Sequence, residues 1–271
     1  MDPLACVATW PVSTVAVGVA GPAGVLASRG PVDEVLPIAS VTKLLTTHAV
    51  LVAVEEGAVG LDDPAGPPGS TVRHLLAHAS GLAMDSRTCL TAPATRRIYS
   101  NAGFEVLAEA VERATEIAFG RYFVEAVTEP LGLARTRLAG SPARSAVSSL
   151  GDLLVFATEL LAPRILHPET LRDATSVAFP GLAGVVPGFG PQDPNDWGLG
   201  FELRDAKSPH WTGVHNSPAT FGHFGRSGVF LWVDPAARLA CACLTDREFD
   251  AWAQQAWPEL SDTVFAEWGS R

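Results

Sequence analysis

The chain has 271 residues, 47% hydrophobic and 18% charged, which is enough apolar material for a sizeable core and too much for a disordered segment. A formal net charge of −10 argues against nucleic acid or anionic lipid as partners, since both need a basic footprint. No segment reaches the roughly 20 uncharged apolar residues that cross a bilayer, and the opening residues Met1 to Val7 lack the basic start and apolar run of an export signal, so a cytoplasmic protein is expected.

Val15 to Ala20, the turn Gly21-Pro22-Ala23-Gly24 and Val25 to Ser28 predict an opening β-hairpin. After Ser40, residues Val41, Leu44, Leu45, His48 and Val52 keep a helical spacing that Gly57 would end. Asp62 to Gly69 is a loop, and residues 70–76 begin a short helix ended by Ser80-Gly81. Residues 83–98 have weak periodicity and read as loop. Phe104, Leu107, Ala108 and Val111 then predict a helix with Asn101 as its cap. Another helix spans Phe119 to Val127, and Ser148-Ser149 precede a further one through Leu150, Leu153, Leu154 and Ala157. Between Pro180 and Asp196, four prolines and four glycines suggest a long cleft-lining loop. The tail predicts strands at Trp197–Leu203, Ser227–Val233 and Leu239–Leu244, then a helical stretch from about Asp250 to Trp268 interrupted at Pro258.

Strands, helices, strands and a helix, in that order, predict an α+β fold in which both chain ends share one antiparallel sheet flanked by helices. The expectation is one domain over 1–271 with two lobes. Residues 1–36 plus about 197–271 would form the sheet lobe and about 37–196 a mainly helical one, with the site between them. Cys6, Cys89, Cys241 and Cys243 make a poor disulfide framework and are expected to be buried free thiols.

Ser40 and Lys43 are three apart, so on a helix the hydroxyl and the amine share a face: a nucleophile beside a base. Lysine can take the serine proton only when neutral, and moving it from about 10.4 toward about 7 requires roughly 4–5 kcal/mol of differential interaction. Tyr99-Ser100-Asn101 offers a phenol to relay a proton and an amide to hold the lysine and a substrate carbonyl. Phe221 to Gly228 offers glycines that let a strand approach a ligand, with a backbone N–H as a second oxyanion donor beside that of Ser40. Taken alone, Ser40 reads as a helix cap. His74 and His78 have metal-like spacing without the glutamate of a zinc motif and read as core or capping residues, whereas His210 and His215 read as surface loop. No Gly-x-Ser-x-Gly elbow supports an α/β-hydrolase.

Ser-x-x-Lys, then Tyr-x-Asn, then His-x-Gly resembles the serine β-lactamase and penicillin-binding-protein superfamily, in the branch of class C β-lactamases, D-alanyl carboxypeptidases and related esterases. Leu61-Asp62-Asp63-Pro64, His74 to Leu82, Pro130-Leu131-Gly132-Leu133, Trp197-Gly198-Leu199-Gly200 and Leu244 to Arg247 also look like the family, so the likeness covers nearly the whole chain. The resemblance implies Ser40 as the acylated nucleophile, Lys43 and Tyr99 as the proton-handling pair, and Asn101 as a lysine and substrate contact. It implies His223 and Gly225 along the cleft and the backbone N–H of Arg226 as the second oxyanion donor. Many penicillin-recognising members carry lysine where His223 stands, and the histidine is similar to esterase-like and amidase-like members.

The expected protein is therefore a serine hydrolase acting through a Ser40 acyl-enzyme on a small ester or amide. The alternatives are β-lactamase or D,D-carboxypeptidase activity, or a catalytically silent binding or regulatory protein on the same scaffold. The implied partner is a small-molecule ester, amide or β-lactam substrate, without nucleic acid, membrane, metal or organic cofactor.

Overall fold

Alternating side chains around a glycine turn fold the N-terminal segment into an antiparallel hairpin of β1 (Val15–Gly21) and β2 (Gly24–Arg29). The computed structural model describes residues 2–269; Met1, Ser270 and Arg271, at the ends of the expected domain, lie outside the described residues. A two-residue strand β3 (Leu36–Pro37) leads to a single 3₁₀ turn, Ala39–Val41, and then to α1 (Thr42–Glu55). Eleven of the residues of α1 are buried, from Thr42 to Ala53, which makes it a helix enclosed on all sides rather than an amphipathic surface helix.

Against α1 pack α3 (Asn101–Thr115) and α4 (Phe119–Phe123), the latter continuing through a π turn into α5 (Glu129–Leu131), and α2 (Val72–Leu76) packs on α3. The cap of α3 is Ser100 rather than the expected Asn101. The Ser100 hydroxyl accepts from the Gly103 N–H at 3.0 Å, which leaves the amide of Asn101 free for other partners. Strands β4 (Arg137–Leu138) and β5 (Ala146–Ser148) join β3 in a small sheet. Helix α6 (Leu150–Leu161) starts at a Ser149 cap; α7 (Pro168–Ala174), which the periodicity did not predict, follows.

The expected 180–196 loop carries a two-stranded ribbon, β6 (Gly184–Val186) and β7 (Gly190–Gln192). The expected strand from Trp197 to Leu203 shrinks to β8 (Glu202–Leu203). Gly200, at φ +78°, breaks the extended run, and a Cβ there would lie 1.8 Å from Thr47 Oγ1 on α1. Then come β9 (Phe221–Gly225), β10 (Val229–Asp234), β11 (Leu239–Thr245) and α8 (Ala251–Trp268).

The main sheet has the order β2-β1-β11-β10-β9-β8 with antiparallel pairing throughout, and Val17 stands opposite Cys243. Period-two alternation sends Val17, Val19, Trp232, Cys241 and Cys243 to one face, in a cluster with Trp257, Leu260 and Val264 of α8. Ala16, Ala20, Leu231, Ala240 and Ala242 go to the other face, where α6 packs. A large buried aromatic such as Trp257 is worth about 3–5 kcal/mol against truncation.

Pro258 does not interrupt α8. It removes one N–H from the helix, while Trp257 and Leu260 on either side stay packed against the sheet and hold the helix through it. Two cysteines depart from expectation: Cys241 and Cys243 are buried, but Cys6 and Cys89 are exposed, because they lie on an N-terminal 3₁₀ turn and a loop instead of a sheet face. Among the described residues no helix is long and apolar enough to cross a membrane.

Candidate active site

Ser40 sits on the 3₁₀ turn that opens α1, and the residue before it, Ala39, is held at φ +40°, a left-handed conformation costly for alanine. One turn on, Lys43 is completely buried. Its Nζ lies 3.4 Å from Ser40 Oγ and donates to Asn101 Oδ1 at 2.6 Å and to the Ala143 carbonyl at 2.8 Å. All three partners are neutral oxygens. Burial, reinforced by the nearby charge of Arg144, holds the Lys43 pKa well below the usual lysine range. The amine also stands 4.6 Å from the centre of the Tyr99 ring.

Tyr99 donates its hydroxyl to Ser40 Oγ at 2.8 Å, and burial pushes its pKa up, so that at neutral pH it remains a phenol. The ring is set by neighbours. His78, whose Nδ1 accepts from the Ser100 N–H at 3.1 Å, packs 4.7 Å from both Tyr99 and Trp197. Burial, and then the Lys43 charge, push the His78 pKa well down, so it serves as a neutral platform. His74 bonds with Thr71 in a capping box at the start of α2, so the pair is capping and core, as its sequence context suggests. Among the described residues there is no group of three or more His, Cys, Asp or Glu arranged to hold a metal.

The opposite wall is β9. Strand β8 pairs only with Phe221 and Gly222, so the half of β9 from His223 to Gly225 has no partner from β8 and runs beside the Ser40 turn. A Cβ on Gly225 would lie 2.8 Å from the Ile38 carbonyl and 3.0 Å from the Ala39 Cβ, so glycine is what allows this approach. Ser227 Oγ donates to the Pro37 carbonyl at 2.7 Å and ties the β9–β10 turn to the same segment. The His223 Nδ1–H donates to the Phe224 carbonyl at 2.6 Å, and burial, with the Lys43 charge behind it, lowers the ring's pKa to about 3. The Arg226 side chain is 83% exposed and reaches Glu248 at 3.3 Å at the rim of the cleft.

Between these walls is a cavity of about 300 Å³. Ser40, Tyr99 and His223 form its polar end. Met84, Val186, Trp197, Phe224 and Phe249 line the rest, and Pro187 and Gly188 bring in the ribbon loop, which therefore does border the cleft. Glu202 also reaches the cavity, but its carboxylate is taken by Lys207 at 2.5 Å and by His210 and the Trp211 indole N–H at 2.9 Å each. His210 is thus buried, against the expectation of a surface loop, because it is a partner of a buried carboxylate. His215 is exposed.

Of the residues singled out from the sequence, Ser40, Tyr99, His223 and Arg226 line the cavity, while Lys43 and Asn101 are buried behind Ser40 and Gly225 lies against the Ile38–Ala39 backbone. Sequence reasoning missed Asp85, Ala143 and Arg144, which surround Lys43 from loops, and the apolar lining from Met84, Phe224 and Phe249. No periodicity or motif marks Asp85, Ala143, Arg144, Met84 or Phe249, whereas Phe224 and Trp197 lay in stretches already singled out.

A beta-lactamase family model matches residues 11–263. The chain superposes on the crystal structure of a beta-lactamase (Mb2281c) from Mycobacterium bovis with a TM-score of 0.98 and 58% identity, covering 99% of this chain and 100% of that one. It is 28% identical over 151 residues to the D-alanyl-D-alanine-carboxypeptidase/endopeptidase AmpH of Escherichia coli, a match spanning 42% of this chain and only 39% of that relative's length. A simvastatin synthase (LovD) mutant from Aspergillus terreus shares the fold at a TM-score of 0.79 and 19% identity, with 100% of this chain and 96% of that chain covered.

Proposed function

Given that the chain belongs to the beta-lactamase family, we propose that it is a serine hydrolase that acylates Ser40, acting on small esters or amides with a neutral, apolar acyl group. The observation that carries this reading is the Lys43 amine, buried against neutral oxygens and 3.4 Å from the Ser40 hydroxyl. An uncharged amine has two N–H groups and one lone pair. With both N–H groups committed to Asn101 and Ala143, the lone pair is left for Ser40.

Which group takes the first proton follows from the two shifts. Lys43 is pushed toward its free base and Tyr99 toward its protonated form, so Lys43 is the base and Tyr99 the donor. Ser40 Oγ attacks the carbonyl carbon as its proton passes to Lys43. The oxyanion that forms is received by the backbone N–H groups of Ser40 and Arg226. As the bond to the leaving oxygen or nitrogen breaks, Tyr99 delivers a proton to it and regains one from the Lys43 ammonium. Water then attacks the acyl-enzyme by the reverse sequence, which returns Ser40 with its proton.

The cavity supports the choice of substrate. A site that holds a carboxylate is best served by a fixed cation, yet His223 is neutral above about pH 3 and the guanidinium of Arg226, at the rim of the cavity, is exposed and already paired with Glu248. What remains is an apolar cavity of about twice the roughly 150 Å³ that holds a benzene ring.

Hydrolysis of a short nitrophenyl ester by the protein, abolished in Ser40→Ala, is the expected result, with a Ser40 acyl adduct visible by intact mass. Undiminished activity in Ser40→Ala sinks the proposal. The 58%-identical beta-lactamase favours a second reading, β-lactam hydrolysis at the same serine. Turnover of a chromogenic β-lactam faster than that of the ester would decide for it.

A further inference from the structure

The two ends of the Asn101 side chain meet different chemistry. Its Oδ1 accepts from Lys43 at 2.6 Å, and its Nδ2 donates to Asp85 Oδ1 at 2.8 Å. A carboxylate can only accept, so Asp85 fixes which way the amide faces: nitrogen toward itself, oxygen toward the lysine. The same Asp85 oxygen accepts from Arg144 Nη1 at 2.6 Å. Arg144 directly follows Ala143, whose carbonyl takes the other Lys43 N–H. The contacts therefore close on themselves: Lys43 to Asn101, to Asp85, to Arg144, along one peptide unit to Ala143, and back to Lys43.

We propose that Asp85 and Arg144 are positioning residues that close this ring, holding the Asn101 oxygen and the Ala143 carbonyl on two sides of the Lys43 nitrogen so that its third side faces Ser40. The inference rests on Lys43 acting as the base. Neither residue touches the cavity; both act through Asn101 and Ala143.

The ring also carries charge. Arg144 opposes a proton on Lys43, whereas Asp85 favours one, as does Glu105, which lies on α3 and accepts from the Ser141 hydroxyl of the Ala143 loop. The other titratable groups around the amine, Tyr99, His78 and His223, are held neutral by burial. Removing one charge of the Asp85–Arg144 pair therefore moves the lysine in the direction opposite to removing the other.

The sequence makes this directly measurable, because Lys43 and Lys207 are its only lysines. Protein labelled with 13C-lysine gives two Cε resonances, and Lys43→Met assigns them. In Asp85→Leu, ester-hydrolysis kcat is expected to fall about 100-fold, the scale of a 1 Å misplacement, with KM little changed. Asp85→Asn, which keeps an acceptor for the Asn101 amide, recovers most of that loss, and its Lys43 resonance titrates at lower pH than in the wild type. In Arg144→Gln the resonance titrates at higher pH.

Undiminished kcat in a folded Asp85→Leu, no recovery in Asp85→Asn, or Lys43 titrations that stay put or move the same way in Asp85→Asn and Arg144→Gln would each overturn the proposal. Should Asp85→Leu fail to fold, the opposed shifts in the other two variants still decide. A wild-type protein without Ser40-dependent ester hydrolysis would overturn the catalytic reading instead, and the two lysine titrations would still report on the ring.

Discussion

Lys43 and Lys207, the two lysines of the chain, are both sealed from solvent, and they differ in what meets the amine. Lys207 Nζ sits 2.5 Å from the Glu202 carboxylate, with the Asp196 and Leu203 carbonyls completing its shell. Glu202 in turn accepts from His210 and Trp211. Lys43 meets an amide oxygen, a carbonyl and a hydroxyl. A counter-ion keeps a buried lysine charged and fixes structure; its absence lets burial win and frees a lone pair. The charged pair braces β8 against the cavity wall, and the uncharged shell surrounds the amine beside Ser40.

Exchanging the two roles by mutation tests this contrast. The largest expected effect is on turnover: Lys43→Met lowers Ser40 acylation by about 10²–10⁴-fold, the usual contribution of a positioned general base. It leaves only neutral acceptors unpaired, at about 1–3 kcal/mol each, so circular dichroism should still find a folded protein. Acylation at the wild-type rate in Lys43→Met would end the assignment of the base.

Next in size is the stability of Lys207→Met. It strands the Glu202 carboxylate in the interior and should cost about 3–5 kcal/mol in denaturant unfolding. Adding Glu202→Leu should restore part of that loss, since the unpaired charge is gone; a double variant as unstable as the single one would mean that packing, not charge, holds this corner.

The smallest effect is the shape of the pH profile. As pH falls through the depressed pKa of Lys43, kcat/KM should decline with the uptake of one proton. His223, near 3, should add no inflection of its own around pH 6.5, and an imidazole inflection there would contradict its neutral, carbonyl-bound state. Glu202 is drawn down from 4.5 to about 2 by Lys207 and His210 against the opposing effect of burial. The sign for a depressed carboxylate is that its stabilisation is complete above its unfolded value. The Glu202 share of the thermal midpoint should therefore be lost on acidification between about pH 4.5 and 2, below the loss that starts under about pH 6.5 because His78 and His223 are held neutral in the fold.

Local chemistry explains what could be read in the sequence. The opening hairpin, the strands expected at Ser227–Val233 and Leu239–Leu244 and the apolar spacing of α3 depend on near neighbours, and the structure has them to within two residues of where they are expected. The fold class followed from the order of these elements. Ser40 with Lys43, and Tyr99 with Asn101, were legible because each pair lies within one turn of chain. What failed to show was decided by distant contacts. Gly200 ends an extended run because it lies against α1, His210 is buried because Glu202 needs a donor, and α8 runs through Pro258 because the sheet holds it. Asp85 and Arg144 are single charges in separate loops, 59 residues apart, and nothing around either one anticipates their meeting.

The pairing of β1 with β11 also affects how the protein is made. More than two hundred residues separate the two strands, so β1 has no inner neighbour in the sheet until β11 has left the ribosome. By then α1, with Ser40 and Lys43, has long been synthesised, but the wall from His223 to Arg226 reaches the serine only through β9 and β10 of that same late sheet. The nucleophile and its oxyanion strand are thus kept apart in time as well as in sequence, and a nascent chain stalled before β9 carries the serine without the site.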